Sequence, residues 1–375
     1  MNRSYLRIAA LSLVLSPTVV TADPLLSFGP DVPLFITASA SVRRESNIFL
    51  SSQTHQSDTI FVLAPGLNLQ WNGGKASFGI MANEQFNRYS TNKELNDHLA
   101  DIAANLGYNG ANVTFKAAGS YQQDDQTSLS LQSSDQTVKH ALSDASANVE
   151  FNVTPKTSVG VGGTFERTTY PQVGYINSDV ATVPVDVYYA VTPKTSVSAG
   201  YQYTRTKLDT GTGNSKGNFY NIGARGEFTS KLSGQVRVGV TNQVPEVGVK
   251  SRDLGLSANL QYAATPKTAI GLNASSGFTT SPLGTTEKVV AIGLSSHTQL
   301  TEAWGFDLGG TYNSTDYVTA LGRKDKFWVG NVGLSYIWTT STAFNLNYVY
   351  RKNDSTEAFA TFDDNVMTFT VSSKF

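Results

Sequence analysis

Apolar and polar positions alternate with a period of two along most of this chain. In Trp328, Gly330, Val332, Leu334, Tyr336 and Trp338 every second residue is apolar or Gly, while the other register reads Val329, Asn331, Gly333, Ser335 and Ile337. Trp304, Phe306 and Leu308 alternate in the same way with Gly305, Asp307 and Gly309, and Phe344, Leu346, Tyr348 and Tyr350 with Asn345, Asn347 and Arg351. That period belongs to β-strands with one greasy and one wet face. The stretches run about ten to fourteen residues, longer than strands of soluble sheets and suited to a tilted crossing of a hydrocarbon layer.

Turn signals punctuate these strands at a regular interval. Thr154-Pro155-Lys156-Thr157, Thr192-Pro193-Lys194-Thr195 and Thr265-Pro266-Lys267-Thr268 repeat one motif, in which Pro can preset φ for a tight turn. Weaker relatives begin at Thr229, Thr301 and Thr339, so the successive intervals are 38, 37, 36, 36 and 38. Upstream, Asn72-Gly73-Gly74 and Asn109-Gly110 carry the Asn-Gly hairpin signature. Two strands per turn and one at each end predict an all-β, transmembrane, antiparallel up-and-down barrel of about 18 strands. The expected strands are 34–47, 58–71, 75–88, 97–108, 111–123, 138–153, 157–168, 180–191, 195–206, 217–228, 232–243, 251–263, 268–279, 287–299, 303–315, 326–338, 342–352 and 365–375.

Aromatic placement supports a membrane. Trp71, Tyr108, Phe151, Tyr189, Phe228, Tyr262, Trp304 and Trp338 lie beside successive turns, where they are expected to form a girdle at one rim. A looser set, including Phe86, Tyr121, Phe165, Tyr203, Tyr312 and Tyr350, is expected at the other. The last strand ends Phe369, Val371, Ser373, Phe375, similar to the terminal signal that the assembly machinery of bacterial outer-membrane barrels reads.

At the other end of the chain, Arg3 and Arg7 precede the apolar run Ile8–Leu15, and Val20-Thr21-Ala22 offers a cleavage site. Residues 1–22 therefore read as a signal peptide, 23–33 as a short periplasmic segment and 34–375 as the barrel, with both termini periplasmic. Composition then removes several function classes. Lys and Arg total 28 against 29 Asp and Glu, so no basic field gathers nucleic acid. The absence of Cys removes disulfides, thiolate metal sites and a cysteine nucleophile.

A barrel this wide is not filled by its own side chains. The inward register is small or polar: Asn105, Ser120, Asn148, Gly162, Asn259, Gly271, Asn273, Asn331, Gly333, Asn345 and Asn347. Its ionisable members are Arg43, Lys116, Arg225, Arg237 and Arg351 against Asp101, Glu150, Asp186, Glu227, Asp253 and Asp307, a near balance that argues against strong ion selectivity. These charges either guide a solute or pair with one another along the wall. None of the outer loops is long enough to announce itself as a constriction; 124–137 is the best candidate, and an open or weakly constricted channel, or a closure supplied by a partner, is expected. His55, His98, His140 and His297 show no spacing that makes a catalytic or metal site, and Gly160, Gly162 and Gly163 lack the helix a phosphate loop needs. No catalytic, cofactor or metal residue is expected.

Glu45-Ser46-Asn47-Ile48-Phe49, followed by Ser57-Asp58-Thr59-Ile60 and Ala64-Pro65-Gly66-Leu67, resembles the opening of the putative β-barrel porin type 2 family. The resemblance implies an outer-membrane barrel, and a link to polysaccharide, because members are described beside exopolysaccharide-production genes. The expected function is a porin-like channel for diffusion of small hydrophilic solutes, saccharides or polysaccharide. The alternatives are a non-conducting barrel scaffolding a polysaccharide-export or envelope complex, and an outer-membrane hydrolase. Expected partners are outer-membrane lipid and lipopolysaccharide, the barrel-assembly machinery, the solutes themselves and a polysaccharide-export partner.

Overall fold

A computed structural model of the protein describes residues 24–28, 32–125, 137–211, 213–281, 283–318 and 322–375. The expected signal peptide lies outside the described residues. A two-residue strand β1 (Leu26–Ser27) is followed by β2 (Pro33–Glu45), β3 (Asp58–Asn72), β4 (Ala76–Tyr89), β5 (Asp97–Asn109), β6 (Val113–Asp124), β7 (His140–Asn152), β8 (Thr157–Thr169), β9 (Ser178–Ala190) and β10 (Thr195–Leu208). The chain continues through β11 (Ser215–Glu227), β12 (Leu232–Pro245), β13 (Ser251–Thr265), β14 (Thr268–Thr280), β15 (Thr286–Gln299), β16 (Trp304–Tyr317), β17 (Lys324–Ile337), β18 (Thr342–Ser355) and β19 (Phe362–Lys374).

Each long strand pairs antiparallel with its sequence neighbours, and β19 returns to β2 through Val366↔Glu45 to Lys374↔Thr37. The sheet therefore closes on itself as an 18-stranded barrel, which abolishes free edges. The extra strand β1 only pairs back on the start of β2.

Directly opposed residues share a face, so the register sorts every side chain. On β17, Asp325, Phe327, Val329, Asn331, Gly333 and Ser335 are buried while Trp328, Val332 and Leu334 are exposed. The apolar register points away from the lumen all round the barrel, through residues such as Phe61, Leu63, Ile102, Ile222, Leu294, Leu308 and Phe369. An apolar band on that scale needs an apolar solvent around it.

The two rims differ. One carries the eight short connections 73–75, 110–112, 153–156, 191–194, 228–231, 266–267, 300–303 and 338–341, and is called the turn rim. At this rim Tyr108, Phe151, Tyr189, Tyr262, Trp304 and Trp338 stand exposed, while Trp71 and Phe228 are half-buried. The terminal Phe375 is also exposed there, its backbone bonded in both directions to Ile36. The turns share a device in which the first Thr hydroxyl accepts backbone amides. Thr154 Oγ1 accepts from Lys156 and Thr157 at 3.2 and 2.9 Å, Thr192 from Lys194 and Thr195, Thr229 from Lys231 and Leu232, and Thr301 from Ala303 and Trp304. Pro is dispensable to the device, which explains why the repeat survives as Thr229-Ser230 and Thr301-Glu302.

The opposite rim, the loop rim, carries 46–57, 90–96, 125–139, 170–177, 209–214, 246–250, 281–285, 318–323 and 356–361. The chain leaves strand at Glu45, two residues before the expected end, because 46–57 folds into the lumen. Most of the buried apolar residues lie at this rim rather than in the body of the barrel.

Candidate functional site

The lumen has a packed mouth and a polar wall. Segment 46–57 enters the loop end and makes two small apolar cores with inward-facing wall residues. Leu50 packs with Phe327, Val329 and Phe362, and Ile48 with Ile60 and Tyr89. Burying two such side chains contributes roughly 1.5–3 kcal/mol each. Conformational entropy opposes ordering every residue of the segment, so polar anchors are needed as well.

Those anchors are explicit. Asn47, fully buried, donates through Nδ2 to the carbonyls of Ser51 and Asp363 and accepts the Ser51 amide on Oδ1. Asp364, also fully buried, accepts from Ser46 Oγ and the Asn47 amide on Oδ1 and from Arg351 Nε on Oδ2. Arg351 completes the group with an ion pair to Glu45 at 2.8 Å. On the other side, the Ile48 amide donates to Gln56, Gln56 Nε2 to Asn92 Oδ1, and Asn92 Nδ2 and its own amide to the buried Asp58 carboxylate. Leu50 adopts φ 50°, a left-handed conformation that non-Gly residues occupy at a cost. The turn made by Asn47 and Ser51 holds it there.

Other loops add to this layer. Ala360 is buried and accepts from Asn353 Nδ2. Arg323 donates to both oxygens of Asp325 and lies over the rings of Tyr317 and Phe359. Gly284 sits so close to 170–177 and β10 that a Cβ there would be 3.0 Å from Ile176 Cδ1 and 3.2 Å from Leu208 Cδ1. To the expected bore the structure adds that the protein's own segment 46–57 packs into the loop mouth. Of the constriction candidate 124–137, residues 126–136 lie outside the described residues, and it is the twelve-residue segment 46–57 that enters the lumen.

Across the lumen from segment 46–57, a cavity of about 330 Å³ is lined by β6–β14, with hydroxyls of Ser120, Thr164, Thr182, Thr204, Ser257 and Ser275 among its walls. Arg237 reaches its edge. Arg237 Nη2 donates to Asp186 Oδ2 at 2.7 Å and to the Tyr188 hydroxyl at 3.0 Å. Arg225 forks onto both oxygens of Glu150, at 2.8 and 2.5 Å, while its guanidinium lies 3.3 Å above the Tyr188 ring. A Cβ at Gly200 would stand 2.1 Å from Asp186 Oδ1, so this glycine is the floor on which the belt lies flat against the wall.

The register puts all the ionisable residues singled out from the sequence on the inward side, but it does not bring them together. Glu150, Asp186, Arg225 and Arg237 form the belt, whereas Arg351 belongs to the mouth, where Arg43 approaches Glu45 at 3.6 Å. Asp307 pairs with His297 at 2.8 Å, far towards the turn rim. Asp253 pairs with Lys288, and Glu227 with Lys194 at the exposed rim. No ion pair forms to Lys116 among the described residues. Asp101 takes its place on β5 opposite Gln122. Sequence reasoning missed Glu45, Asp58, Asp325 and Asp364, which sit at strand ends where the alternation gives way to loops.

Among the described residues no group of His, Cys, Asp and Glu is arranged to hold a metal. No curated protein matches the chain. Among solved structures, the outer-membrane protein OpdK of Pseudomonas aeruginosa is 9% identical with a TM-score of 0.48, the match covering 92% of this chain and 98% of that one. OccAB4 of Acinetobacter baumannii is 12% identical with a TM-score of 0.49, covering 92% and 99%. A family model described as Putative beta-barrel porin 2 matches residues 34–375, the whole closed barrel, and the chain belongs to that porin family of outer-membrane barrels.

Proposed function

We propose that this porin-like channel passes small hydrophilic solutes, saccharides among them, by diffusion, and that segment 46–57 sets the width of its outer mouth. In this reading the turn rim and both termini face the periplasm, the loop rim faces outward, and the aromatic residues at each rim lie at headgroup level. The observation that carries it is the cavity lined by Ser and Thr hydroxyls that lies across the lumen from segment 46–57. Hydroxyls both donate and accept, so they replace part of a sugar's hydration without selecting a charge. The belt of mutually paired Arg225, Glu150, Arg237 and Asp186 fits the same purpose, since paired charges hold neither ion strongly. No bond is made or broken in the transport step.

Single-channel current from the refolded, signal-free protein in a planar bilayer tests this reading, with graded neutral sugars as probes. Stable steps blocked by sugars up to a limiting size are the expected result. A folded barrel that stays silent both as the native chain and with 48–55 replaced by a short Gly-Ser link overturns it. The packed mouth favours one second reading, a non-conducting scaffold for a polysaccharide-export partner, which predicts that silence together with a co-purifying envelope protein.

A further inference from the structure

Where the barrel closes, its outward surface is not uniformly convex. The small Ala40 and the neighbouring Val42 on β2 lie between Phe369 and Val371 on β19 and Phe61 and Leu63 on β3. Together with Phe86 on β4 they line an apolar groove of about 610 Å³ on the membrane-facing side. Its loop-rim end is cationic. Arg88 lines it directly, and Arg44 follows Val42 on the same face of β2.

The two arginines are placed as a pair. Arg44 stands opposite Thr59 and Arg88 opposite Phe61, so their Cα atoms are two strands and two residues apart, roughly 12 Å, within joint reach of one headgroup. Arg44 is steadied by neutral acceptors, Nη1 to Thr59 Oγ1 at 3.1 Å and Nη2 to Ser57 Oγ at 2.9 Å, and Arg88 Nη1 by the carbonyls of Asn87 and Asp97. Neither has a carboxylate partner among the described residues. Glu84, on the same face of β4, is engaged with His98 at 2.7 Å. Some other outward cations at this rim are neutralised, Arg167 by Asp179, Lys324 by Asp316 and Lys352 by Asp354, whereas among the described residues Arg205 and Lys216 are not but have no apolar groove beside them.

We propose that this groove seats a phosphorylated glycolipid of the lipid A type, with phosphate on Arg44 and Arg88 and acyl chains along Ala40, Val42, Leu63 and Phe369. The inference rests on the proposed orientation, which puts the loop rim in the outer leaflet. It names a fixed lipid site where the channel reading requires only a bilayer. The groove spans four strands, roughly 14 Å across, which favours an occupant with several acyl chains. Guanidinium forks suit phosphate oxygens.

The test titrates purified lipid A into the detergent-extracted protein and follows bound lipid by native mass spectrometry. Arg44→Gln with Arg88→Gln is expected to weaken binding about thirtyfold, two surface cations' worth. Ala40→Trp, which fills the groove and leaves both charges, is expected to weaken it as well; heat-modified gel mobility confirms that each variant is folded. Arg205→Gln with Lys216→Gln is the control. Those residues are directly opposed at the same rim and are without ion pairs among the described residues, but the tilted ring pair Tyr201 and Tyr220 lies below them. Unchanged binding in the Arg44/Arg88 variant, an equal loss in the control, or equal binding of phosphatidylglycerol each overturns the proposal. Bilayer current is expected to be the same in all these variants, so a silent channel that still loses lipid A sinks the channel reading and leaves the lipid site standing.

Discussion

At the turn rim, every connection is two to four residues long, and in seven of the eight a Thr or Asn side chain ties the bend to its own backbone, as Thr154 does for Lys156 and Thr157 and Asn72 for Gly74. At the loop rim, connections reach twelve residues and more, and their polar side chains reach to other strands and loops: Asn47 to Asp363, Ser46 to Asp364, Gln56 to Asn92. The inward residues follow suit. Asn105, Asn148, Asn259 and Asn273, towards the turn rim, are exposed, while Asn47, Asn87 and Asn353, towards the loop rim, are fully buried. One end is closed locally and left wet; the other is assembled from distant pieces and packed. A barrel needs only the first to exist, so the second is where selection can act on passage without risking the fold.

The strongest way to break this contrast is at Asp364. Replacing it with Ala removes the acceptor shared by Ser46, Asn47 and Arg351 and leaves a mostly buried guanidinium with Glu45 alone. A local cost of about 3 kcal/mol is expected, the low end for splitting a buried pair because one partner remains. The barrel stays folded by gel mobility, and single-channel conductance rises several-fold as 46–57 leaves the lumen. Asn259→Ala, whose side-chain amide bonds only Asn273 among the described residues, is expected to leave conductance within experimental error.

Leu50 sharpens the same point. Leu50→Ala leaves a hole among Phe327, Val329 and Phe362 and is expected to cost about 2–3 kcal/mol at the mouth. Leu50→Gly makes the same hole but relieves the left-handed backbone, so it is expected to cost less than Ala. Protease sensitivity of 46–57 ranks the three chains. If Gly proves the more sensitive variant, the backbone there is not under strain.

A smaller, reversible effect belongs to Asp125, in the loop after β6. Burial and the neighbouring Asp97 carboxylate push its carboxyl up to about 6, against the pull of Arg43, and the Tyr89 hydroxyl donates to it at 3.4 Å. The folded mouth holds this proton more tightly than the open one. The stabilisation is therefore full below the ordinary value of 3.8 and is lost as pH rises through about 6. Hydrogen exchange at 46–57 and 90–96 is expected to speed up across that window, and Asp125→Asn to flatten the profile at its slow, acidic level. A profile that Asp125→Asn leaves unchanged assigns the titration elsewhere.

The same contrast governs what the sequence discloses. The 36–38-residue register, the alternation in β17 and the outward aromatics are local patterns, readable because a strand's period and a turn's chemistry repeat. The inward side of Arg237 or Glu150 follows from parity alone. That Arg237 meets Asp186 and Arg225 meets Glu150 does not, since these pairs cross intervening strands over a glycine floor. Segment 46–57 was least legible of all: Ile48, Phe49 and Leu50 announce burial, but only the closed sheet shows that the place to bury them is the lumen. The motif Glu45–Phe49 carried the family likeness without saying that it is the latch of the mouth.

The weakest intervention is the one aimed at the turn rim. Thr154→Ala removes a hydroxyl that accepts two exposed amides, each of which can turn to water instead, and the Val153 and Thr157 backbones still bond across the turn. About 1 kcal/mol of local stability is expected to go, and denaturant resistance of the folded barrel to fall slightly. Pro155 remains to preset the bend, so Thr229→Ala, in a turn with Ser230 in that place, is expected to cost more than Thr154→Ala. Neither change is expected to move conductance or lipid binding. If Thr154→Ala altered single-channel current, the turn rim would be part of the passage, and the division between a locally closed rim and a packed mouth would fail.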